Sequence, residues 1–494
     1  MIALLIYVQY TVHKLNERGK KMNVTKDKDI LLEELSNVVD AKQIIAQSRN
    51  HSTDSWPLTA LQKVLGSEFE IPACVVKPKN TDEVSKVLAY LNEKKIKVVP
   101  YGAGSGVAGG AKPTNDSVVV DVSAMNEVLH LDEENLTVTV QPGVYHGNLE
   151  AWLNERGYIS GHYPQSIHRA QIGGLVATRS SGQFSTKYGN IEDILLGVEA
   201  VLPSGKVIRL KNIIRSSTGP DLRQLWLGSE GIFGIITEIT IKIMPTPAER
   251  WMQAYGIQSM RQGLKMIQQF MRDGWKPAVV RLHDAVEAAQ KYPGFVQEGE
   301  AILLLLSEGP KGYAEIEGAA LDNLIQEQGG RPLGTGPMDH WLEHKNDVSN
   351  IEGPIEQGVM MDTTEISANW TNIADIYERV IKRLQKEVPE LIVASGHSSH
   401  SYVNGTNLYF IFGAKASKDP EELERIYRSI WDRIMETTLE NGGSIAHHHG
   451  IGKLRAPWMA RELGSSYELL KAIKQSIDPN ATMNPGTIIP VEDK

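Results

Sequence analysis

The sequence predicts an α+β protein with more than one domain, and three features support this prediction. The chain has 494 residues, of which 41% are hydrophobic, so it can bury a substantial core. Short β and α segments alternate up to a proline-rich break at residues 245–247. Longer helices then alternate with isolated strands, a pattern typical of an antiparallel sheet covered by helices.

Charge and cysteine content exclude several functional classes. Lysine and arginine number 51, whereas aspartate and glutamate number 60, so the formal net charge is -9. We therefore do not expect a nucleic-acid binder, because such a protein must neutralise phosphates over a broad face. The single cysteine, Cys74, cannot form an internal disulfide. This cysteine usage fits a reducing compartment, and we expect a cytoplasmic protein.

The N-terminal run from Met1 to Val8 is apolar but too short to span a bilayer. It also lacks the basic leader and the cleavage site of a secretory signal. A second methionine, Met22, follows a polar stretch. We interpret residues 1–21 as a disordered extension or a mis-assigned start, which the mass of the native protein would distinguish.

The first half of the chain is predicted to form a helical scaffold and then a β/α region. Apolar residues recur at helical spacing from Asp27 to Arg49, which predicts an amphipathic helix or a helix pair. Near Pro72 the pattern changes, and we interpret residues 70–247 as one mixed α/β domain. Its predicted elements are the extended CVVKP, a helix from Asp82 to Lys95, the strands IKVVP, SVVVDV and LTVTV, a helix from Asn148 to Arg156, and the strands GVEAVLP and GIITEITIKI.

The second half is predicted to form a substrate domain. Ser259 and Gln262 predict a capping box that starts a helix ending near Asp273. Asp419 and Pro420 predict the start of another helix. Between them lie the strands AVVRLHD and AILLLLSEG, a helix from Tyr313 to Gln328, a helix from Ile373 to Val388, and the strands LIVAS and NLYFIF. The predicted division is a scaffold (1–69), a first domain (70–247), a cap domain (248–440) and a C-terminal segment (441–494).

The segment PYGAGSGVAGG, residues 100–110, follows a strand and contains five glycines. Glycines let successive backbone amides turn toward one anion and let that anion approach the main chain. A Walker loop is excluded, because no Gly-Lys-Ser/Thr follows. A phosphate-binding loop and a flexible surface loop are both compatible with this segment alone.

Three further segments pair glycines or small residues with a following strand or helix: PQSIHRAQIGGLVATRSSG from Pro164, STGPD from Ser217, and LGSEGIFGIITEITI from Leu227. Together with residues 100–110 they resemble the FAD-binding domain of the vanillyl-alcohol oxidase, or PCMH-type, flavoprotein family. The resemblance implies two small subdomains with FAD between them and a cap domain above the flavin. It also implies non-covalent FAD, because the loop that carries a linking histidine in some members has none here.

The resemblance assigns cofactor contacts residue by residue. The expected pyrophosphate contacts are Pro100, Tyr101, Gly102, Ala103, Gly104, Ser105 and Gly106. The expected flavin contacts are Pro164, Gln165, Ser166, Ile167, His168, Arg169, Ala170, Thr178, Arg179, Ser180 and Ser181. The expected contacts on the adenosine side are Glu230, Gly231, Ile232, Phe233, Gly234, Ile235 and Ile236.

The segment SIAHHHGIGKLR contains three consecutive histidines, whose proton affinity lies near neutral pH. An exposed polar loop is the alternative interpretation. Within the family, this segment, RLHD and NLYFIF resemble the alkyldihydroxyacetone-phosphate synthases, which exchange a fatty acid for a fatty alcohol without net redox change. The resemblance implies that Tyr409 transfers protons, that Arg281 organises the site, and that the catalytic triad is His447, His448 and His449.

Some residues depart from the synthase pattern. Lys345 stands nearest to the arginine that binds the substrate phosphate in the synthases, and the ending IDPNATMNPG resembles the D-lactate, glycolate and D-2-hydroxyglutarate dehydrogenase branch. Metal-using members of that branch present two histidines and a glutamate, at positions matching His397, Tyr409 and His448, and His400 could in principle substitute for a missing ligand. Tyrosine is a poor metal ligand at neutral pH, so we expect no metal.

The combined interpretation is an FAD enzyme that acts on a small anionic ketone or hydroxy compound. Acyl-for-alkyl exchange on a dihydroxyacetone-phosphate-type substrate is the first expectation. Oxidation of a D-2-hydroxy acid, with His449 as the base, is the alternative. A lipid-like substrate would imply an apolar tunnel and peripheral membrane contact, and a homodimer is compatible with the sequence.

Overall fold

The computed structural model of the chain describes residues 24–347, 354 and 356–491. Residues 1–21, interpreted as an extension or a mis-assigned start, lie outside the described residues.

The strands are β1 Ile44–Ile45, β2 Cys74–Val76, β3 Lys97–Tyr101, β4 Ser117–Asp121, β5 Val128–Asp132, β6 Thr137–Val140, β7 Tyr158–Ile159, β8 Leu195–Val201, β9 Val207–Leu210, β10 Ile235–Lys242, β11 Met244–Pro245, β12 Glu249–Ile257, β13 Val279–His283, β14 Ala301–Gly309, β15 Arg331–Gly334, β16 Val359–Asn369, β17 Leu391–Ser398, β18 Ser401–Tyr402 and β19 Gly405–Lys415. The helices are α1 Val24–Ser36, α2 Pro57–Val64, α3 Thr81–Glu93, α4 His146–Asn154, α5 Ile172–Ala177, α6 Ser185–Tyr188, α7 Ile191–Ile194, α8 Met260–Arg272, α9 Ala285–Lys291, α10 Tyr313–Glu327, α11 Gly336–His344, α12 Trp370–Glu387, α13 Pro420–Glu440, α14 Met459–Leu463 and α15 Ser466–Ile477.

The first helix is shorter than the sequence predicts. Helix α1 ends at Ser36 instead of continuing toward Arg49. Ile44 and Ile45 form β1, which pairs antiparallel with Val76 and Val75 of β2. The isoleucines that continued the helical pattern therefore belong to a strand, because β-branched side chains pack well on a pleated surface.

Two separate sheets form the N-terminal half of the chain. The first has the order β1-β2-β4-β3, and β2 and β3 both pair parallel with β4. Helix α3 covers it with one buried apolar face, formed by Val84, Val87, Leu88 and Leu91. The second sheet is antiparallel, with the order β5-β6-β10-β8-β9. Residues 70–247, interpreted from the sequence as one mixed α/β domain, thus contain two sheets, in line with the two subdomains that the resemblance implies.

A large antiparallel sheet forms the cap, as the sequence predicts. Its strands follow the order β15-β12-β14-β13-β17-β19-β16, with β18 paired to β19. The central strand β14 is buried along its whole length, and helices α8, α10, α12 and α13 contribute buried apolar faces. The strands β13 and β19 carry the predicted catalytic side chains of this half, Arg281 and Tyr409.

The predicted capping box at α8 is only half formed. The Ser259 hydroxyl accepts from the Gln262 amide at 3.2 Å, as expected for an N-cap. The Gln262 side chain, however, accepts from the Gln258 amide at 3.1 Å. The Gln262 side chain therefore satisfies the backbone amide of Gln258, which precedes the N-cap, and not the amide of Ser259.

The C-terminal segment returns to the first sheet. Met483 forms a parallel bridge with Val98 of β3, and the Asn484 amide donates to the Val98 carbonyl at 2.7 Å. The Asn484 side chain also donates to the carbonyls of Gly110 and Glu230, at 2.9 and 2.6 Å. The end of the chain therefore supports the loop that follows β3. No helix in the described ranges has both the length and the apolar character needed to cross a membrane.

Candidate active site

The glycine loop, residues 100–110, offers free backbone donors. The Gly104 carbonyl accepts from the Ser55 hydroxyl at 2.9 Å, and the Gly106 carbonyl accepts from the Ser55 amide at 2.8 Å. In the described part of the chain, the amides of Gly104, Ser105 and Gly106 donate to no protein acceptor. Gly104 has a φ of +64°, and an added Cβ would collide with the Tyr101 ring. These features fit the diphosphate of FAD, which needs several unpaired amides and close access to the main chain.

Gln171 is a cofactor candidate that sequence reasoning missed. It is 2% exposed, and both polar atoms of its side chain lack a partner in the described protein. A Cβ added to Gly102 would lie 2.9 Å from Gln171 Oε1, so the amide borders the glycine loop. A buried, unsatisfied amide beside a predicted cofactor loop indicates a ligand contact. Its position at the start of the helix IGGLVA was the available signal.

The predicted flavin-lining segments are only partly directed inward. Pro164, Ile167, Ala170, Ser180 and Ser181 are buried, Ser166 and Thr178 are half-buried, and Gln165, His168, Arg169 and Arg179 are exposed. Arg179 forms an ion pair with Glu192 at 3.1 Å, and Gln165 donates to the Asp347 carbonyl at 2.5 Å. A further residue, His162, is fully buried and contacts the Ser180 hydroxyl through Nε2 at 2.9 Å. These serines are therefore better placed than the exposed residues to face a ring.

Glu230 connects the cofactor domain to the C-terminal segment. Its carboxylate accepts from the amides of Ile451 and Gly452 at 2.6 and 2.9 Å. Burial raises the pKa of Glu230 to about 7, although these two amides oppose the shift. Gly231, Ile232, Phe233, Gly234, Ile235 and Ile236 are buried behind it. We expected this segment on the adenosine side, and in the structure its acidic residue holds the turn that follows the histidines.

Tyr409 lies among the histidines that the sequence singled out. Its hydroxyl is 2.5 Å from His448 Nε2 and 3.1 Å from His449 Nε2. The pKa of Tyr409 is raised, chiefly by burial and secondly by the negative charge of Glu365. The pKa of His447 is lowered by burial to about 4, and that of His448 is lowered well below its usual range by the same cause. A neutral tyrosine beside the neutral imidazole of His448 can pass a proton in either direction.

Glu365 organises the histidine loop and was not found from the sequence. It is fully buried on β16, and one carboxylate oxygen accepts from the amides of His447, His448 and His449 at 3.2, 3.1 and 2.8 Å. The other oxygen lies 2.8 Å from His449 Nδ1 and 2.5 Å from Arg455 Nη2. The Arg455 guanidinium and His449 hold the pKa of Glu365 well below its usual range despite burial.

Arg281 is a buried cation without an acidic partner. It is 8% exposed, and no carboxylate lies within ion-pair distance among the described residues. Its Nη2 is 3.2 Å from His397 Nε2, and its guanidinium lies 5.3 Å from the Trp341 ring. Burial lowers the pKa of Arg281. An unpaired buried guanidinium indicates a receptor for an anion.

His397 connects Arg281 to Tyr409 and to a buried carboxylate. The His397 ring stacks on Tyr409 with 4.6 Å between centroids. Its Nδ1 is 2.9 Å from Glu287 Oε2, and Lys291 pairs with the other Glu287 oxygen at 2.5 Å. The Glu287 carboxylate accepts a hydrogen bond from Nδ1–H, so His397 Nε2 carries the lone pair that faces Arg281. One histidine ring therefore contacts both the Arg281 guanidinium and the Tyr409 ring.

Lys345 lies at the end of α11, four residues after Trp341. Its carbonyl accepts from Gln183 at 3.0 Å, which joins this segment to the flavin-lining region. The side chain is half-buried, and no carboxylate within the described ranges forms an ion pair with it. Burial lowers the pKa of Lys345, and the charge of Arg250 acts in the same direction. Among the described residues, Lys345 thus forms no ion pair, and no contact joins its side chain to Tyr409.

Comparison with known proteins adds the family. Residues 72–211 match the model of the FAD binding domain, and residues 246–488 match that of the C-terminal domain of FAD linked oxidases. An FAD-linked oxidoreductase of Escherichia coli K12, YgcU, described as uncharacterised, is 40% identical over 435 residues, covering 85% of this chain and 90% of its own. Two more distant relatives are 27% identical each.

The first is the alkyldihydroxyacetonephosphate synthase of Dictyostelium discoideum, with 86% of this chain and 74% of the relative covered. The second is the glycolate oxidase subunit GlcD of Bacillus subtilis, with 84% and 88% covered. A solved structure of an alkyldihydroxyacetonephosphate synthase superposes with a TM-score of 0.76 at 23% identity, covering 92% of this chain and 85% of that one. The predicted α+β fold with a PCMH-type FAD-binding domain is thus confirmed.

Proposed function

Because the chain belongs to the FAD-linked oxidases, we propose a flavoenzyme of the alkyldihydroxyacetonephosphate synthase type. Its substrate would be a small ketone or hydroxy compound with an anionic group, of the dihydroxyacetone-phosphate class. In the proposed reaction a fatty acid leaves the acylated substrate and a fatty alcohol takes its place, so no net oxidation occurs. The Dictyostelium relative, which covers most of this chain, supports this choice.

The observation that carries the proposal is the pairing of an anion receptor with a proton-transfer group. Arg281 is buried without a carboxylate, and His397 joins it to Tyr409 through a 3.2 Å contact and a stacked ring. A phosphate or carboxylate bound by Arg281 would therefore hold the rest of a small substrate next to the Tyr409 hydroxyl. Lys345 would add a second positive charge from the cap.

FAD would be bound without a covalent link by the glycine loop, with its diphosphate on the free amides of Gly104, Ser105 and Gly106. Gln171 and Ser180 would contact the cofactor from the other subdomain. When bound, FAD supplies an electrophilic ring that accepts an electron pair. Tyr409 would move a proton at the substrate carbon, and His448 and His449 would exchange that proton with the tyrosine.

A second candidate is oxidation of a D-2-hydroxy acid, as the GlcD relative suggests. The specific observation in its favour is the 2.8 Å contact between His449 Nδ1 and Glu365, which would orient the imidazole as a base. In this reaction Nε2 of His449 takes the hydroxyl proton, and two electrons with the α-hydrogen pass to the cofactor. An external electron acceptor would then be required.

The two functions differ in their need for an electron acceptor, and one experiment separates them. The flavin-loaded protein is mixed without oxygen either with a panel of D-2-hydroxy acids or with acyl-dihydroxyacetone phosphate and a labelled fatty alcohol. Incorporation of the alcohol without an electron acceptor supports the synthase. Bleaching of the flavin by a hydroxy acid supports the dehydrogenase instead. If neither response is observed, both proposed functions are overturned. A lipid substrate would also bring the protein to a membrane surface, and vesicle flotation would test that contact.

A further inference from the structure

The hydrogen bonds around Tyr409 extend beyond the histidine loop. The Ser181 hydroxyl donates to Asn190 Oδ1, and Asn190 Nδ2 donates to the Tyr402 hydroxyl at 3.1 Å. The Tyr402 hydroxyl lies 2.7 Å from His447 Nε2. Ser181 belongs to the predicted flavin-lining segment, whereas Tyr402 lies on β18 of the cap. A chain of polar contacts therefore joins the cofactor domain and the cap at the histidines.

The contacts continue from His447 to Glu365. His447 Nδ1 and His448 Nδ1 are 2.8 Å apart, and His448 Nε2 lies 2.5 Å from the Tyr409 hydroxyl. The same hydroxyl lies 3.1 Å from His449 Nε2, and His449 Nδ1 lies 2.8 Å from Glu365. Each hydrogen bond needs a hydrogen on one atom and a lone pair on the other. Placing the hydrogen at one end of the chain therefore fixes the tautomers along it.

The side chain of Asn190 sets the direction at the outer end of the chain. Its Nδ2 can only donate, so the Tyr402 oxygen accepts this bond, and its Oδ1 already accepts from Ser181. The one hydroxyl hydrogen of Tyr402 has His447 Nε2 at 2.7 Å, compared with 3.3 Å to Asn190 Oδ1. Burial raises the pKa of Tyr402 to about 12, so the hydroxyl keeps this hydrogen at neutral pH. His447 therefore accepts a hydrogen bond at Nε2.

Neutral imidazoles carry this direction to Tyr409. Burial lowers the pKa of His447 to about 4 and that of His448 well below its usual range, so each ring has one hydrogen at neutral pH. Because His447 accepts at Nε2, its hydrogen is on Nδ1 and is donated to His448 Nδ1. The hydrogen of His448 is then on Nε2 and is donated to the Tyr409 oxygen.

Glu365 sets a matching direction from the other end. Burial opposes its ionisation, but the Arg455 guanidinium holds the pKa of Glu365 well below its usual range. The carboxylate therefore accepts from His449, which carries a hydrogen on Nδ1. In the neutral His449 ring Nε2 then has a lone pair, 3.1 Å from the Tyr409 hydroxyl. The Tyr409 oxygen thus accepts from His448 while it donates to His449.

We propose that Tyr402 and Asn190 are positioning residues, which fix the histidine tautomers and thereby give the two histidines beside Tyr409 different roles. His449 takes the proton of the tyrosine, and His448 donates a hydrogen bond to the oxygen left behind. In this step the tyrosine O–H bond breaks, an Nε2–H bond forms on His449, and the phenolate keeps the electron pair. The positive charge that develops on the His449 ring faces a carboxylate, which stabilises it.

The roles of the two histidines rest on the proposed function, in which Tyr409 moves a proton, whereas the tautomers are measured without turnover. Nitrogen-15 NMR of flavin-loaded protein with labelled histidines reports which ring nitrogen carries the hydrogen. Replacement of each loop histidine by glutamine assigns its signals. We expect hydrogen on Nδ1 in His447 and His449, and on Nε2 in His448.

Two variants test the control from the outer end. Tyr402→Phe removes the bond to His447 and should give a mixture of its two tautomers. Asn190→Asp should reverse the tautomers of His447 and His448, because the new carboxylate accepts the Tyr402 hydrogen. Aspartate also suits the N-cap position that Asn190 occupies before α7, so the fold should be retained. The matched control is Tyr255→Phe, which loses only a contact to Asp322 in the cap core and should change no loop tautomer.

Hydrogen on Nε2 of His447 in the wild-type protein would overturn the proposal, even if the variants fold poorly. Unaltered tautomers in both Tyr402→Phe and Asn190→Asp would overturn it as well. The expected shifts in both variants, with no shift in Tyr255→Phe, would support it.

Steady-state kinetics separate this inference from the proposed function. With the substrate that is turned over, Tyr402→Phe should lower kcat by about 5- to 10-fold and leave KM unchanged, which is the effect of one hydrogen bond on a barrier. Normal turnover with unaltered tautomers in both variants would overturn this inference alone. The expected tautomers in a protein that turns over neither candidate substrate would overturn the proposed function, and the hydrogen-bond directions would stand.

Discussion

Glu365 and Tyr409 are directly paired residues on β16 and β19, and both side chains contact the histidine loop. The Glu365 carboxylate accepts hydrogen bonds from backbone amides of the loop, whereas the Tyr409 hydroxyl contacts the rings of His448 and His449. One strand pair therefore sets both the position of the loop and the proton path through it. The reactive geometry depends on the register of these strands, since a shift by one residue would turn both side chains away.

Replacing Tyr409 with phenylalanine should remove proton transfer and leave the cofactor in place. We expect turnover to fall by about 100-fold or more, in line with general acid–base catalysis. Steady-state kinetics and the visible flavin spectrum would measure the two effects. Tyr255→Phe is the control, because its hydroxyl contacts Asp322 in the cap core. Unchanged turnover in Tyr409→Phe would mean that another residue moves the proton.

Gly104→Val should give protein without flavin. The φ of +64° disfavours a branched residue, and its Cβ would collide with the Tyr101 hydroxyl, so the loop would have to change its backbone conformation. Gly274→Val is the matched control, since Gly274 has a φ of +95° but no neighbour within 4 Å of an added Cβ. The ratio of flavin to protein absorbance measures the outcome. A Gly104→Val protein as yellow as the control would contradict the assignment of the loop.

Glu365→Gln should destabilise the fold and disorder the histidine loop. It leaves the 1%-exposed Arg455 side chain without its counter-charge, and breaking a buried pair costs about 3–5 kcal/mol. Chemical denaturation would measure this loss. Asp375→Asn, which removes an exposed partner of Arg261, should change stability very little. Equal stability of the two variants would rule out a structural role for the Glu365 charge.

The contribution of Glu230 to the stability of the protein should decrease as the pH rises from about 5 to 8. Its folded pKa of about 7 lies above its ordinary value of 4.5. The folded state therefore binds the extra proton between these pH values, and that stabilising contribution is lost as pH rises through the folded pKa. Glu230→Gln should lose this contribution, so the difference in stability between the wild type and the variant should shrink over this pH range. Denaturation midpoints over the pH range would check it, and an unaltered slope would mean that Glu230 ionises normally.

Arg281→Lys should weaken binding of an anionic substrate. Lysine keeps the charge but lacks the planar guanidinium that can contact His397 and an anion together. We expect this loss to raise KM by roughly 10- to 100-fold. The KM for an uncharged analogue of the same substrate should rise less in this variant. Arg261→Lys, at an exposed ion pair, serves as the comparison. Equal effects on charged and uncharged substrates would remove the anion-receptor role.

The sequence identified the site residues that carry a recognisable local pattern. Three adjacent histidines and a glycine-rich loop after a strand are visible without a structure, and the fold brings Tyr409 to those histidines. Glu365 has no such pattern, since an acidic residue within DTTEIS is typical of an ordinary exposed position of a strand. Its role arises from burial against a loop about eighty residues away, which only the tertiary fold defines.

The same limit explains the error at the N-terminus. Ile44 and Ile45 continue a helical pattern, yet pairing with Val76 and Val75 of β2 makes them a strand. Local periodicity cannot report a partner segment located thirty residues further along the chain. The strand β14, in contrast, is long and strongly apolar and has the predicted bounds, and the predicted NLYFIF forms the middle of the longer β19.

The return of the C-terminal segment to β3 has a consequence for biosynthesis. Amides of Lys453 and Leu454 donate to the Ala108 carbonyl, and the Asn484 side chain reaches Gly110. The glycine loop emerges from the ribosome early, but the residues that brace its far end are translated last. The contacts that support the glycine loop are thus complete only after the end of the chain has been synthesised.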